Sequence, residues 1–262
     1  MSSGVTSPGR AQLQQKTLRQ DRWWLQPLVT FVVLAAFVVY ATWRAFAGTH
    51  YYAAPYLSPF YSPCMGEQCV PGSADFGRPF GHVPFSPALL ILIVPLGFRL
   101  TCYYYRKAYY RSFWLSPPAC AVAEPHGRYT GERRFPLILQ NLHRWFLILS
   151  AIVAAVLTYD VVLAFRDAEG NWGHMGLGTL VLLVNVVFIW GYTLSCHSCR
   201  HLVGGRLRHF SKHPIRYRMW TLVSRWNPHH PKFAWLSLFS VALADLYVYL
   251  LSIGAFSDPR FF

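Results

Sequence analysis

The sequence predicts an all-α integral membrane protein: a bundle of five transmembrane helices with the N-terminus cytoplasmic and the C-terminus outside. Three observations predict it. Of 262 residues, 54% are hydrophobic and only 13% are charged, where soluble domains carry about 25%. Five apolar stretches reach the roughly 20 residues that a helix needs to cross a bilayer. Finally, the 24 Lys and Arg fall almost wholly on one side when the stretches are threaded in alternation. Lipid admits only helices or closed barrels as spanning structures, and these runs are far too long for barrel strands.

Taken in order, residues 1–22 are rich in Gly, Ser and Gln and cannot bury enough apolar area to fold alone, so they form a cytoplasmic tail. The apolar run behind them lacks a small-residue cleavage site, and no cleaved signal is expected. The first span, 23–47, is free of charge from Trp23 to Trp43 and is flanked by interfacial aromatics; Arg44 closes its far end. Residues 48–86, rich in Pro, Tyr and Gly, make an outer extramembrane loop whose Cys64 and Cys69 could close a small disulfide. The second span, 87–105, carries Pro95 and Gly97 and leads into a basic inner loop, 106–135, whose opening interleaves Tyr with Lys and Arg like a helix end in the headgroup layer.

The third span, 136–165, opens on Pro136, with His143 and Arg144 two turns in and Asp160 near its other end, at a depth where it could neutralise Arg44. The fourth, 174–199, ends in Cys196-His197-Ser198-Cys199-Arg200-His201. A second basic inner loop, 200–232, holds eight Lys and Arg and no acid. The fifth span, 233–254, carries Asp245 near its middle with no basic partner evident. A protonated, hydrogen-bonded carboxyl is the simpler reading there, and a proton route the sharper one. Residues 258–262 form an outer tail. Inner segments and inner helix ends hold 20 of the 24 Lys and Arg, which sets the orientation. No internal repeat is evident. The net charge of +14 is therefore a topological signal. Nucleic acid is excluded as a partner, because no folded module presents the charge as phosphate readers do.

This topology gathers four thiols and eight imidazoles at the inner face, among them Cys102, Cys120, His143, His197, His201, His209 and His230. Cys196 and Cys199, three apart on a helix, share a face and can hold one metal ion. With histidines from elsewhere they suit zinc, or an iron–sulfur centre in which His replaces Cys on one iron. A buried, unliganded Cys pair is the bland alternative. His143 facing His197 or His201 would instead suit haem b.

Four stretches carry a family resemblance: Arg106-Lys107-Ala108-Tyr109-Tyr110-Arg111, Leu115-Ser116-Pro117-Pro118-Ala119-Cys120, Arg134-Phe135-Pro136-Leu137-Ile138-Leu139-Gln140-Asn141-Leu142-His143-Arg144, and Cys196 to His201. Together they resemble the membrane-anchor subunit of actinobacterial succinate dehydrogenase, from about residue 20 to the end. The resemblance implies a bacterial plasma-membrane anchor that docks a flavoprotein and an iron–sulfur subunit at its cytoplasmic face and supplies the quinone site. It also implies a Rieske-type [2Fe–2S] centre within the membrane subunit. The basic loops would then meet an acidic partner surface. On this reading the expected ligands are Cys196, Cys199, His143 and His201, with Cys120, His197, His209 and His230 as alternates. Gln140, Arg144, Trp145, Ser198, Tyr217 and Trp226 are the candidates for holding quinone. The rival readings are a haem b anchor and a non-redox scaffold with a structural zinc.

Overall fold

A computed structural model describes residues 21–65, 73–75, 86–120, 122 and 131–262 of the chain. Its helices are α1 (Leu25–Ala47), α2 (Ala88–Ile91), α3 (Ile93–Leu100), α4 (Tyr103–Phe113), α5 (His143–Leu163), α6 (Leu177–Leu194), α7 (His197–Gly204), α8 (Pro214–Trp226) and α9 (His230–Ser252). A hairpin of β1 (Tyr52–Ala53) and β2 (Tyr56–Leu57) follows α1, with Tyr52 opposite Leu57. Tight 3-10 turns, Leu137–Leu142 and Asn227–His229, lead into α5 and α9.

Among the described residues four helices are long and apolar enough to cross a bilayer, or five if a bent pair is taken as one span. That pair is Ala88–Leu100 with Tyr103–Phe113, bent by 83°. The second apolar stretch thus ends five residues earlier than expected. Cys102 is extended (φ −69°, ψ 128°), which no helix interior tolerates, and α4 turns aside to pack on α1. The fourth stretch breaks in the same way at Cys196 (φ −63°, ψ 142°), so Cys196 and Cys199 do not share the end of one long helix. The basic segment read as a loop, 200–232, is largely helical. Gly204 at the end of α7 takes the Trp220 ring of α8, which a Cβ there would meet at 2.2 Å. The Arg200 guanidinium lies 4.8 Å over that same ring, so charge and aromatic surface pack together instead of standing in solvent.

Close helix approach depends on two glycines. A Cβ on Gly97 would stand 2.2 Å from the Phe146 ring of α5, and one on Gly191 would stand 2.5 Å from the Phe233 ring of α9. Without a hydrophobic drive between helices in lipid, such small-residue contacts carry much of the packing. Gly97→Leu is expected to destabilise by about 1–3 kcal/mol through overpacking. The midpoint of thermal unfolding in detergent measures it, and an unchanged midpoint would show that Phe146 swings aside freely.

At the end of the bundle away from the basic helices, the described part of the segment after α1 packs against the helices instead of standing free in solvent. Tyr51, Tyr56, Leu57, Ser58, Phe60, Tyr61, Ser62 and Cys64 are all buried. They form a plug against α1 and α9. Cys64 is disulfide-bonded; Cys69 lies outside the described residues.

The plug rearranges the expected charges. Arg44 pairs with Asp245, Nε to Oδ2 at 2.8 Å, both side chains 0% exposed. Asp245 also accepts from Tyr40 at 2.5 Å and from Ser58 at 2.5 Å. Arg44 donates onward to the carbonyls of Thr49 and His50. Asp245 is therefore not a lone carboxyl, and Arg44 is not neutralised by Asp160. Asp160 accepts from Ser62 instead, and its other oxygen is buried without a partner. The C-terminal residues clasp the same end: Asp258 accepts from Tyr56 at 2.7 Å, Gly178 at 2.9 Å and Tyr247 at 2.5 Å. Burial raises the Tyr56 phenol to about 12, which keeps it a donor to that carboxylate.

Candidate functional site

The two helix breaks face each other at the basic end, and each ends in a hydroxyl residue followed by a cysteine. Thr101-Cys102 separates α3 from α4; Ser195-Cys196 separates α6 from α7. His143 and His230, the first residues of α5 and α9, lie between them. All four donors are buried, His143 at 5% and His230 at 7% exposure. His143 Nε2 is 3.1 Å from Cys196 Sγ, and His230 Nε2 is 3.4 Å from Cys102 Sγ. Phe98 and Tyr192, which stack on the two imidazoles, are themselves 5.1 Å apart, and both sulfurs belong to the same buried core, so the pairs form one cluster.

Each imidazole is fixed from behind. Thr101 Oγ1 is 2.9 Å from His143 Nδ1 and donates its own proton to the Gly97 carbonyl at 2.7 Å. Ser195 Oγ is 3.0 Å from His230 Nδ1 and donates to the Tyr192 carbonyl. A hydroxyl whose proton is committed to a carbonyl accepts from the ring, so Nδ1 carries the hydrogen. Nε2 then keeps its lone pair and points at sulfur, the arrangement in which a histidine binds metal. Phe98 stacks on His143 at 4.8 Å and 8°, and Tyr192 on His230 at 4.8 Å and 16°.

This arrangement follows a plan written twice in the chain, which overturns the expectation of no internal repeat. Gly97-Phe98-Arg99-Leu100-Thr101-Cys102 matches Gly191-Tyr192-Thr193-Leu194-Ser195-Cys196 position by position. Gly, Leu and Cys are identical; Phe pairs with Tyr and Thr with Ser. His143 and Phe146 likewise match His230 and Phe233, and a serine, Ser150 or Ser237, follows each histidine by seven residues. In each copy the glycine receives the phenylalanine, the aromatic stacks on the histidine, and the hydroxyl holds Nδ1. The thiol–imidazole contacts then cross between the copies.

The expected ligands are distributed unevenly. His143, Cys196 and the alternate His230 come together. Cys199 lies one turn along α7 in the same buried core, where burial raises its thiol, and among the described residues it makes no hydrogen bond with either imidazole. His201 sits on the exposed face of α7, 2.9 Å from His197 Nε2, so neither faces His143 across the width of a haem. Partial burial, then His201 and Arg200, hold His197 below the usual imidazole range. Cys120 and His209 are exposed. Cys102 lies outside the expected ligand set; the repeated six-residue motif is the signal that finds it. Of the quinone candidates only Gln140 is interior, donating to the Leu100 carbonyl and the Tyr109 hydroxyl. Arg144, Trp145, Tyr217 and Trp226 are exposed, and Ser198 is half-buried.

Among the described residues no three His, Cys, Asp or Glu side chains converge on one metal position. That disfavours a single tetrahedral zinc, which needs four donors about one point. Two thiols and two imidazoles are the donor set that a mixed Cys/His [2Fe–2S] centre would take.

Fold and cluster together define a polytopic helical membrane subunit with a buried thiol–imidazole site at its basic end. Residues 25–254 match the family described as actinobacterial succinate dehydrogenase subunit SdhC. A solved structure, the Mycobacterium smegmatis Sdh1 complex in the apo form, contains a chain that is 55% identical, with full coverage of both chains and a TM-score of 0.89. No curated protein matches. The chain belongs to the actinobacterial SdhC family. It is a multi-pass plasma-membrane subunit of succinate dehydrogenase, and not the subunit that holds the succinate site.

Proposed function

We propose that this subunit crosses the membrane five times with its N-terminus inside, docks an iron–sulfur and a flavoprotein subunit on its basic face, and passes their electrons to quinone. It does so by holding a Rieske-type [2Fe–2S] centre on Cys102, Cys196, His143 and His230. The observation that carries this reading is the crossed pair of Nε2–sulfur contacts, each imidazole with its Nδ1 hydrogen committed to a hydroxyl. When bound, such a centre carries one electron at a raised potential relative to an all-thiolate cluster. The chain's own residues prepare for it: Thr101 and Ser195 fix the tautomers, while Phe98 and Tyr192 exclude water from both rings. The bent helix α4 and the α7–α8 pair carry Arg and Tyr, which suits an acidic partner surface at the membrane edge.

Iron and acid-labile sulfide analysis of the purified complex tests the reading, together with paramagnetic resonance of the reduced state. Two irons beyond those of the soluble subunits and a mixed Cys/His signal are expected. Zinc or a haem Soret band in their place would refute it.

A further inference from the structure

Helix α4 carries three cations, Arg106, Lys107 and Arg111, and they are not treated alike. Arg106 pairs with Glu132. Lys107 and Arg111 have no carboxylate partner among the described residues. They stand four apart on one helix, a spacing at which like charges are destabilising. Arg111 donates from NH2 to the Pro118 carbonyl at 3.3 Å, while its Nε is buried with no hydrogen-bond partner. A buried donor without an acceptor is costly. The two side chains together call for an anion.

Tyr104, Lys107 and Arg111 fall on one face of α4 by their spacing, and that face walls a groove of about 350 Å³ against α1 and α9. Because α4 is bent by 83° from the helix before it, it lies across the neighbouring spans, and the groove runs away from it along them. Its far part is apolar: Val33 and Phe239 line it, each more than two turns inside α1 or α9. Val29, also in the lining, and Phe239 are open at the surface, 53% and 47% exposed. Where the cations meet this apolar wall, Trp235 Nε1 donates to the Tyr104 hydroxyl at 2.7 Å. Tyr104 in turn donates to no acceptor among the described residues. Charge therefore sits at one end of the groove and hydrocarbon at the other.

We infer that this groove holds one anionic phospholipid, its phosphate between Lys107 and Arg111 and an acyl chain laid along Val29, Val33 and Phe239. A phosphodiester supplies both things the cationic end lacks. It brings negative charge between two like charges, and acceptor oxygens for the Arg111 guanidinium and the Tyr104 hydroxyl. Basic pockets between membrane helices hold anionic headgroups on the same terms. The acyl chain covers the apolar part, which a free phosphate or an acidic protein segment would leave open. A zwitterionic lipid brings its own ammonium group to the cations and loses the net attraction. None of these residues is a proposed ligand of the redox centre or holds one in place, so lipid retention is independent of the electron-transfer role.

The test uses the whole purified complex in neutral detergent, titrated with phosphatidylglycerol or phosphatidylcholine, with bound lipids counted by native mass spectrometry. The wild type should bind one phosphatidylglycerol ahead of all others, with a preference over phosphatidylcholine of at least about tenfold. Lys107→Gln and Arg111→Gln should each weaken that binding about fivefold, the worth of one cation near an anionic lipid surface, and the double variant about 25-fold. Val33→Trp fills the apolar part and leaves both charges; it should also displace the lipid while dye-linked succinate oxidation is unchanged. Equal affinity for the two lipids in the wild type would overturn the proposal, as would wild-type affinity in the double variant or in Val33→Trp. So would displacement of the lipid by millimolar inorganic phosphate, which would mark a site for the free anion. Loss of the soluble subunits from the double variant with lipid binding intact would overturn it too, by assigning both cations to the partner surface.

Discussion

His143→Ala and His230→Ala are each expected to abolish quinone reduction, by at least about 100-fold, and to remove the paramagnetic signal expected of the proposed centre. Each variant deletes one of only two nitrogen donors, and losing even an outer-shell partner of a ligand costs 10–100-fold in metal affinity. Both rings sit at the first turn of a long helix that is held along its length by other contacts, so the complex should still assemble. Dye-linked succinate oxidation in the purified complex checks that. His201→Ala is the informative comparison. His201 is hydrogen-bonded to His197 on an exposed face, and its removal should leave the signal in place. If His201→Ala erased the signal and His230→Ala spared it, the ligand set proposed here would be wrong.

The second large effect lies at the opposite end. Arg44→Ala or Asp245→Ala should destabilise the subunit by about 3–5 kcal/mol, because each leaves an unpaired charge in a site fully closed to solvent. Arg44 holds the chain reversal as well as the carboxylate, through the carbonyls of Thr49 and His50, so its loss also frees the start of the plug. An Arg44→Leu/Asp245→Leu double variant should recover more than half of the loss, since well-packed apolar residues often replace a buried pair at little cost. Unfolding in detergent measures all three. A double variant as unstable as the two single ones added together would show that the pair is not coupled.

How far these features are legible in the sequence depends on what each one rests on. Apolar length is a local property, and each of the four helices among the described residues that are long and apolar enough to cross a bilayer falls on an expected apolar stretch. Cys196 and His143 stand out because polar, metal-binding side chains are rare at such depths. Cys102 and His230 carry the same chemistry but gave less signal. Cys102 sits in a tyrosine-rich stretch that reads as interface, and His230 lies among basic residues that read as loop. Only comparison of the chain with itself relates the segment beginning at Gly97 to the one beginning at Gly191, and hydropathy alone does not prompt it.

The pairing of Arg44 with Asp245 is illegible in the sequence for a different reason. Counting residues along α1 and α9 gives depth in a straight helix. The buried segment at Ser58 and Tyr61 carries hydroxyls down between the helices and brings the polar level to Asp245. A loop that folds inward leaves no periodic trace.

The crossing of contacts between the two copies bears on how the subunit is made. Neither helical hairpin owns a complete set of donors: one brings Cys102 and His143, the other Cys196 and His230, and each histidine looks to the sulfur of the opposite hairpin. Loading of the proposed centre would therefore wait until the ribosome has released residue 230 and the last hairpin has docked. Once in place, the inorganic core would rivet two separately inserted units into a single body.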